Sequence, residues 1–364
     1  MQKFQTNCPY EKLPLKSFFP QLANSKGNLF LEASNNFQIT SQDKIVSFGS
    51  CFSSKIKEIC DKLELNYLKK NDLSEKHIDK INLEKKTNFS LNYGNIYTSK
   101  HFLQLIKRVV GTHTNLPRII VDNKNRKRNS FRSNILSYYD NKALRDDDQN
   151  HLKNISLLIK EANILVFTVG LTEHWIDNDT LYCLPQVPGC GVGDFDKNKF
   201  KFLNSELFEV VDEILESIDL IKKINKNIKF ILTLSPVPLV ATYSDLSAVE
   251  ANSYSKTLLR QAISFVQKEN LTYVDYFPSY EIMTNPHFMN LNFLENKRTV
   301  SDLGLELIID QFNRRYLGNK IYEANQFNPQ KKINVSFQEK EKNFFNPSCD
   351  EENIYASYLE SQRL

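Results

Sequence analysis

Ser50 and Cys51 put a hydroxyl and a thiol side by side directly after a short apolar run, and either can attack an electrophilic carbon. The surrounding stretch Lys44–Ile59, KIVSFGSCFSSKIKEI, has the layout such a nucleophile needs. Ile45, Val46 and Phe48 read as a strand, and Gly49 permits a sharp turn. Ile56, Ile59, Cys60 and Leu63 then recur at i, i+3, i+4, i+7, which predicts an amphipathic helix. The first N–H groups of that helix favour the anion that forms beside a nucleophile. A thiolate in this position needs little help from a base, whereas a serine needs a histidine within hydrogen-bond reach. The plain alternatives are a strand–helix connection capped by Ser50 or Ser53, and a Cys51 that only fills space under the sheet.

The base must come from six histidines, at 77, 101, 113, 151, 174 and 287. His174 follows the apolar run Ile164–Val169 closely and is the first choice; His287, in a loop after the last strand, is the second. A lone loop histidine is more often a solvent-exposed bystander.

Positioning these groups requires a scaffold, and the chain alternates strand-like and helix-like segments from Lys44 onward. Strands are predicted at 45–49, 66–70, 164–169, 228–234 and 272–276. Helical stripes are predicted near 97–110, 151–160, 205–224, 251–267 and 302–316. ILVFTV at 164–169 is apolar throughout, as in a central strand covered on both faces. This rhythm predicts an α/β fold with a mostly parallel sheet between helix layers, with ligands bound beyond the carboxyl ends of the strands. Gly49-Ser50-Cys51, Gly170–His174, Ser235–Pro238 and Phe277–Tyr280 fall at those ends. Residues 1–41, punctuated by Pro9, Pro14 and Pro20, read as an N-terminal arm, 42–316 as the α/β domain, and 317–364 as a polar C-terminal extension.

The 47 Lys and Arg nearly balance the 43 Asp and Glu, so no nucleic-acid partner is implied. The basic run Asn123–Arg132 reads as a solvated hairpin or loop. No apolar stretch nears the roughly 20 residues that span a bilayer. The N-terminus lacks the apolar core of a signal peptide, so a cytoplasmic location is expected. The six cysteines show neither a disulfide framework nor zinc spacing, and neither a metal nor an organic cofactor is implied.

Phe48-Gly49-Ser50-Cys51-Phe52-Ser53 resembles the FGSCFA signature of the GSCFA-domain family. Cys8–Pro14, Tyr93–Thr98, Phe167–Trp175, Leu234–Pro238 with Tyr254-Ser255-Lys256, and Val274–Glu281 extend the resemblance across most of the chain. That family is similar to the SGNH (GDSL-like) hydrolases and acyltransferases. The resemblance implies a three-layer α/β/α sandwich with a flavodoxin-like sheet, and an ester hydrolase or O-acyltransferase acting on a carbohydrate or related acyl ester. Ser50 or Cys51 would then attack the acyl carbonyl, with His174 as base. Gly94, Asn95 and the Gly170, Thr172 and Glu173 segment would supply the oxyanion hole. Glu173 has a rival role as the cap of the next segment. Arg298 and Lys256 would bind an acidic substrate group, though a surface position is the default for both.

One departure from the SGNH pattern stands out. Register on Gly304 places Asn296 and Thr299 where the resemblance calls for the Asp and His of the catalytic pair. The alternative is therefore a non-catalytic module on the same fold that binds a glycan or a partner.

Overall fold

The computed structural model describes residues 35–70, 88–122, 124–132, 137–190, 193–269, 271–286, 289–318 and 352–362. His77 and His287 lie outside the described residues, as do most of the arm and of the C-terminal extension.

The chain runs β1 (Ile45–Gly49), a 3-10 turn (Cys51–Ser54), α1 (Lys55–Lys62) and α2 (Ser99–Val109). A hairpin of β2 (Ile119–Val121) and β3 (Lys127–Asn129) precedes α3 (Asn141–Glu161) and β4 (Ile164–Val169). Three short strands follow, β5 (Glu173–Asp177), β6 (Cys183–Leu184) and β7 (Phe200–Asn204). Then come α4 (Leu207–Ile224), β8 (Lys229–Leu234), α5 (Ala248–Lys268) and β9 (Val274–Phe277). The short helices α6 (Ser279–Met283) and α7 (Met289–Asn292) lead to α8 (Asp302–Tyr316), and α9 spans Glu352–Ser361.

β1, β4, β8 and β9 form one parallel sheet in the order β1-β4-β8-β9. Asn66–Leu68 lies along the free edge of β1: Ile45 N–H donates to Asn66 O (2.9 Å) and Leu68 N–H to Ile45 O (2.8 Å). The second predicted strand is thus reduced to a bridge, and the spatial order is flavodoxin-like. Alternation along the strands sorts the core into two layers. Val46, Phe48, Leu165, Phe167, Phe230 and Leu232 pack with α2 to α5 on one face. Ile45, Ile164, Val166 and Ile231 pack with α1, α6 and α8 on the other. Both faces are covered, so the fold is a three-layer α/β/α sandwich. Burying each such side chain contributes about 1.5–3 kcal/mol.

Local chemistry sets the helix starts. Thr98, Asp140 and Ser301 accept from the third helical N–H of α2, α3 and α8, and Ser247 with Glu250 forms a capping box on α5. The described part of the arm is tied down: Asn35 donates to Arg315 O (2.7 Å), and Phe37 stacks on Tyr316. The basic run sits in the β2–β3 hairpin, where Arg126 and Arg128 pair with Asp122.

Candidate active site

All four strand ends named above fall on one edge of the sheet, because the strands are parallel. Gly49 closes β1 with φ +137°, and a Cβ there would lie 2.8 Å from Thr168 Cβ and collide with the Thr168 carbonyl. Only glycine lets β1 approach β4 this closely before turning. Ser50 continues the ladder, its N–H donating to Thr168 O (3.1 Å), while its carbonyl accepts from Ser53 N–H (2.8 Å). Its side chain is buried, and Oγ has no hydrogen-bond partner among the described residues. Cys51 opens the 3-10 turn and is half-exposed, so it is not the buried space-filler its alternative reading required.

Gly94 has φ +77°, and two residues on, Ile96 N–H donates to Gly49 O (2.8 Å). That bond brings the buried Asn95 segment beside the end of β1. Gly170 packs against Ser50 from the other side: a Cβ at 170 would sit 3.0 Å from Ser50 Cβ and 3.4 Å from Oγ. Gly170 therefore borders the Ser50 turn directly, and the Gly94–Ile96 segment is tied to the end of β1 through Ile96.

The backbone donors expected at 170–172 are committed elsewhere. Gly170 and Leu171 N–H both donate to Tyr97 O (2.9 and 3.0 Å), and Thr172 N–H donates to Ser255 Oγ (3.0 Å). An N–H already spent on a protein acceptor has no proton left for an oxyanion. Thr172 retains a buried hydroxyl without a partner. Lys256 corrects a second expectation: it is buried rather than on the surface, and its Nζ donates to Gly170 O (2.8 Å). Arg298 Nε donates to Pro238 O (3.1 Å), and the residue does not line the cavity described below. Asn296 and Thr299 hydrogen-bond to each other (2.8 Å) in a turn where Asn296 is exposed, so no base stands there.

His174 is neither in a loop nor solvent-exposed. It lies in β5, pairs with Leu203 and is buried. Its Nδ1 is 3.0 Å from Thr172 O. A carbonyl only accepts, so Nδ1 carries the proton and Nε2 the lone pair. Nε2 has no partner among the described residues. Burial lowers the His174 pKa, with Lys100 adding to the effect, so the ring is neutral at pH 7. His101, close enough to His174 to feel its charge, is pushed down to about 3, chiefly by burial.

A cavity of about 320 Å³ opens beside His174, at the low end of the ~300–1,000 Å³ typical of small-molecule sites. Tyr97, Leu171, Glu173 and the loop after β8 (Leu239–Tyr243) form one wall, and Trp175, Phe195 and Phe202 another. Glu173 joins these walls: it accepts from Thr242 Oγ1 (2.6 Å) and from Tyr243 N–H (3.4 Å), and burial raises its pKa. That clamp takes the place of the capping role considered for it. Ser50 and Cys51 do not line the cavity; Gly170 and Tyr97 stand between the Ser50 turn and its wall.

Lys256 and Ser255 hold the end of β4. Gln186 and Cys183, which line the cavity, escaped the sequence reading. The proline- and glycine-rich stretch Pro185–Gly189, with Gln186 inside it, was the available signal for a binding loop.

The match to the GSCFA family model covers residues 44–312, nearly three quarters of the chain. The chain belongs to the GSCFA family. Its motifs now have places: the signature forms the Ser50 turn, Tyr93–Thr98 runs beside it, and Phe167–Trp175 carries Gly170, Glu173 and His174. Among solved structures, the chain is similar to a carbohydrate esterase family 3 from Talaromyces cellulolyticus, at 9% identity and a TM-score of 0.33, covering 76% of this chain and 98% of that one. It is also similar to the salicylyl-acyltransferase SsfX3 from a tetracycline biosynthetic pathway, at 11% identity and a TM-score of 0.26, covering 45% of this chain and 40% of that one. No curated protein matches the chain. Among the described residues, no three or more His, Cys, Asp or Glu side chains are grouped to hold a metal. No described helix is long and apolar enough to cross a membrane.

Proposed function

We propose that this GSCFA chain is an ester hydrolase or O-acyltransferase, acting in the cytoplasm on an acyl ester of a carbohydrate or related small molecule. One observation carries the reading: Ser50 Oγ is a buried hydroxyl without a partner among the described residues, set against Gly170 at the carboxyl edge of a parallel sheet. Leaving such a group unsatisfied costs about 1–3 kcal/mol unless a water or ligand satisfies it; the Ser53 and Thr168 hydroxyls are in the same state, and Ser50 is set apart from them by its place directly after the end of β1. His174 Nε2, also without a partner, belongs to the same Gly170–His174 stretch.

In the proposed step, Ser50 Oγ or Cys51 Sγ adds to the acyl carbonyl and its proton passes to His174 Nε2 through a bridging water or substrate hydroxyl, since no direct hydrogen bond joins Ser50 Oγ to Nε2. The Gly94–Asn95 segment and the Thr172 hydroxyl are the remaining candidate donors for the oxyanion. Collapse breaks the ester C–O bond, the leaving alcohol takes the proton, and water or a second alcohol then accepts the acyl group. Ser50 borders Gly170, whereas Cys51 is the more open of the two, and both stay in the proposal.

The test is turnover of p-nitrophenyl acetate by the full chain, with labelling by a fluorophosphonate and by iodoacetamide and mapping of the modified peptide. Turnover that disappears in Ser50→Ala or Cys51→Ala, with label on that residue, supports the enzyme. No turnover and no label on either residue refutes it. The binding module then takes over as the second reading, favoured by the Asn296–Thr299 turn standing where a catalytic pair would be.

A further inference from the structure

Two polar side chains of the cavity wall leave hydrogen-bond acceptors unused, and both are more than nine-tenths buried. One is His174, whose Nε2 keeps its lone pair because Nδ1 serves Thr172 O. The other is Gln186: its amide nitrogen donates to Cys190 O, and Oε1 has no donor among the described residues. The rest of the wall is largely apolar and aromatic. Trp175 sits edge-to-face with Tyr243 at 4.7 Å and with Phe202 at 5.6 Å. Among the described residues no lysine or arginine lines the cavity, whereas the Glu173 carboxyl does. An anion entering here would meet an acidic group and no cation; a molecule with nothing to donate would leave both acceptors unmatched.

We propose that this cavity binds an uncharged, hydroxyl-bearing molecule with an apolar body, which donates to His174 and Gln186 and packs against Trp175, Phe202 and Tyr243. The proposal rests on the reading that this cavity receives the substrate, and it specifies the alcohol portion of the ester, or the alcohol that accepts the acyl group, as what is recognised. Charged acyl carriers are excluded from it.

Trp175 is the chain's single tryptophan, so its fluorescence reports on this wall alone. The full chain is titrated with 3-phenylpropanol, its methyl ether and 3-phenylpropionate, which share one apolar body and differ in the donor and the charge. The alcohol is expected to shift the emission saturably. The ether should bind about tenfold more weakly, the loss of one good hydrogen bond, and the carboxylate more weakly still. A single hydroxyl donates to one acceptor, so either Gln186→Leu, a loop substitution, or His174→Phe, with its folding checked by circular dichroism, should bring the alcohol and ether affinities together, and the double variant should do so whichever acceptor is used; a double variant that still separates them overturns the proposal. Absence of binding by all three probes, equal binding of alcohol and ether by the unaltered chain, or preferred binding of the carboxylate overturns the proposal. The titration needs no turnover, so inertness toward p-nitrophenyl acetate and failure of this binding are separate outcomes.

Discussion

The ends of β1 and β4 are neighbours in one sheet, and the chain treats them differently. At the end of β1, Gly49 abuts Thr168, Gly170 abuts Ser50, and the turn is closed over buried hydroxyls, that of Ser50 among them. At the end of β4 the chain leaves the parallel sheet for β5, and the small antiparallel sheet β6-β5-β7 helps to wall a roomy aromatic cavity. Glycines serve the first region because backbones meet there; large rings line the second. On the proposed function, reactivity and recognition fall in adjacent but separately built places, with Gly170 and Tyr97 between them.

The sharpest way to break that division is Ser50→Ala. We expect p-nitrophenyl acetate turnover to fall by about 10³-fold or more, as for removal of a nucleophile. The denaturation midpoint should hold or rise slightly, since an unmatched buried hydroxyl is being deleted. If Ser50 is the nucleophile, Cys51→Ala stays near the parent rate; the reverse result moves the chemistry to Cys51, on the open side of the turn. Gly49→Ala comes next, a loss of about 3 kcal/mol in urea unfolding, because φ +137° and the Thr168 backbone both oppose a side chain. A midpoint unchanged from the parent would show that β1 is not closed as described.

The third prediction concerns pH and the cavity side. His101 and His174 have folded-state pKa values below the ~6.5 of an unfolded chain, so as pH falls the unfolded state takes up protons first. Their contribution to stability is complete above about pH 6.5 and is lost as pH drops towards the folded values, about 3 for His101. Within that window His101 alone should contribute a slope of about 1.4 kcal/mol per pH unit. Urea midpoints measured across the window should fall less steeply in His101→Gln than in the parent; parallel curves would contradict the burial of that ring. The smallest effect is expected from Arg298→Ala, about 1 kcal/mol or less, from loss of its bond to Pro238 O. A collapse of ester turnover in that variant, with the fold intact, would return Arg298 to the substrate site.

Periodicity made most of the scaffold legible. The apolar run 164–169 is β4, and the stripe at 302–316 is α8 with the same bounds. Helix α3 extends ten residues earlier than its stripe suggested, since NKALRDDDQN has an Asp140 cap but few apolar positions to mark a face. β5, β6 and β7 were missed because two to five residues are too few to display a period, and His174 was consequently assigned to a loop. At the site, residue types named the Ser50 turn and His174, but hydrogen-bond direction cannot be read from types. Gly170 is a plausible oxyanion donor in sequence until Tyr97 O, more than seventy residues away along the chain, takes its proton. Lys256 was misread for a similar reason. A lysine is placed on the surface by default, and its acceptor, the Gly170 carbonyl, comes from a distant strand end.

That buried ammonium has a consequence for anyone evolving this scaffold. Lys256 and Ser255, adjacent on α5, both fasten the short linker that touches the Ser50 turn on one flank and leads into the cavity wall on the other. Libraries aimed at α5 should therefore change reaction rate and ligand preference together, with double substitutions departing from the sum of the single ones. Selection for one property here drags the other along.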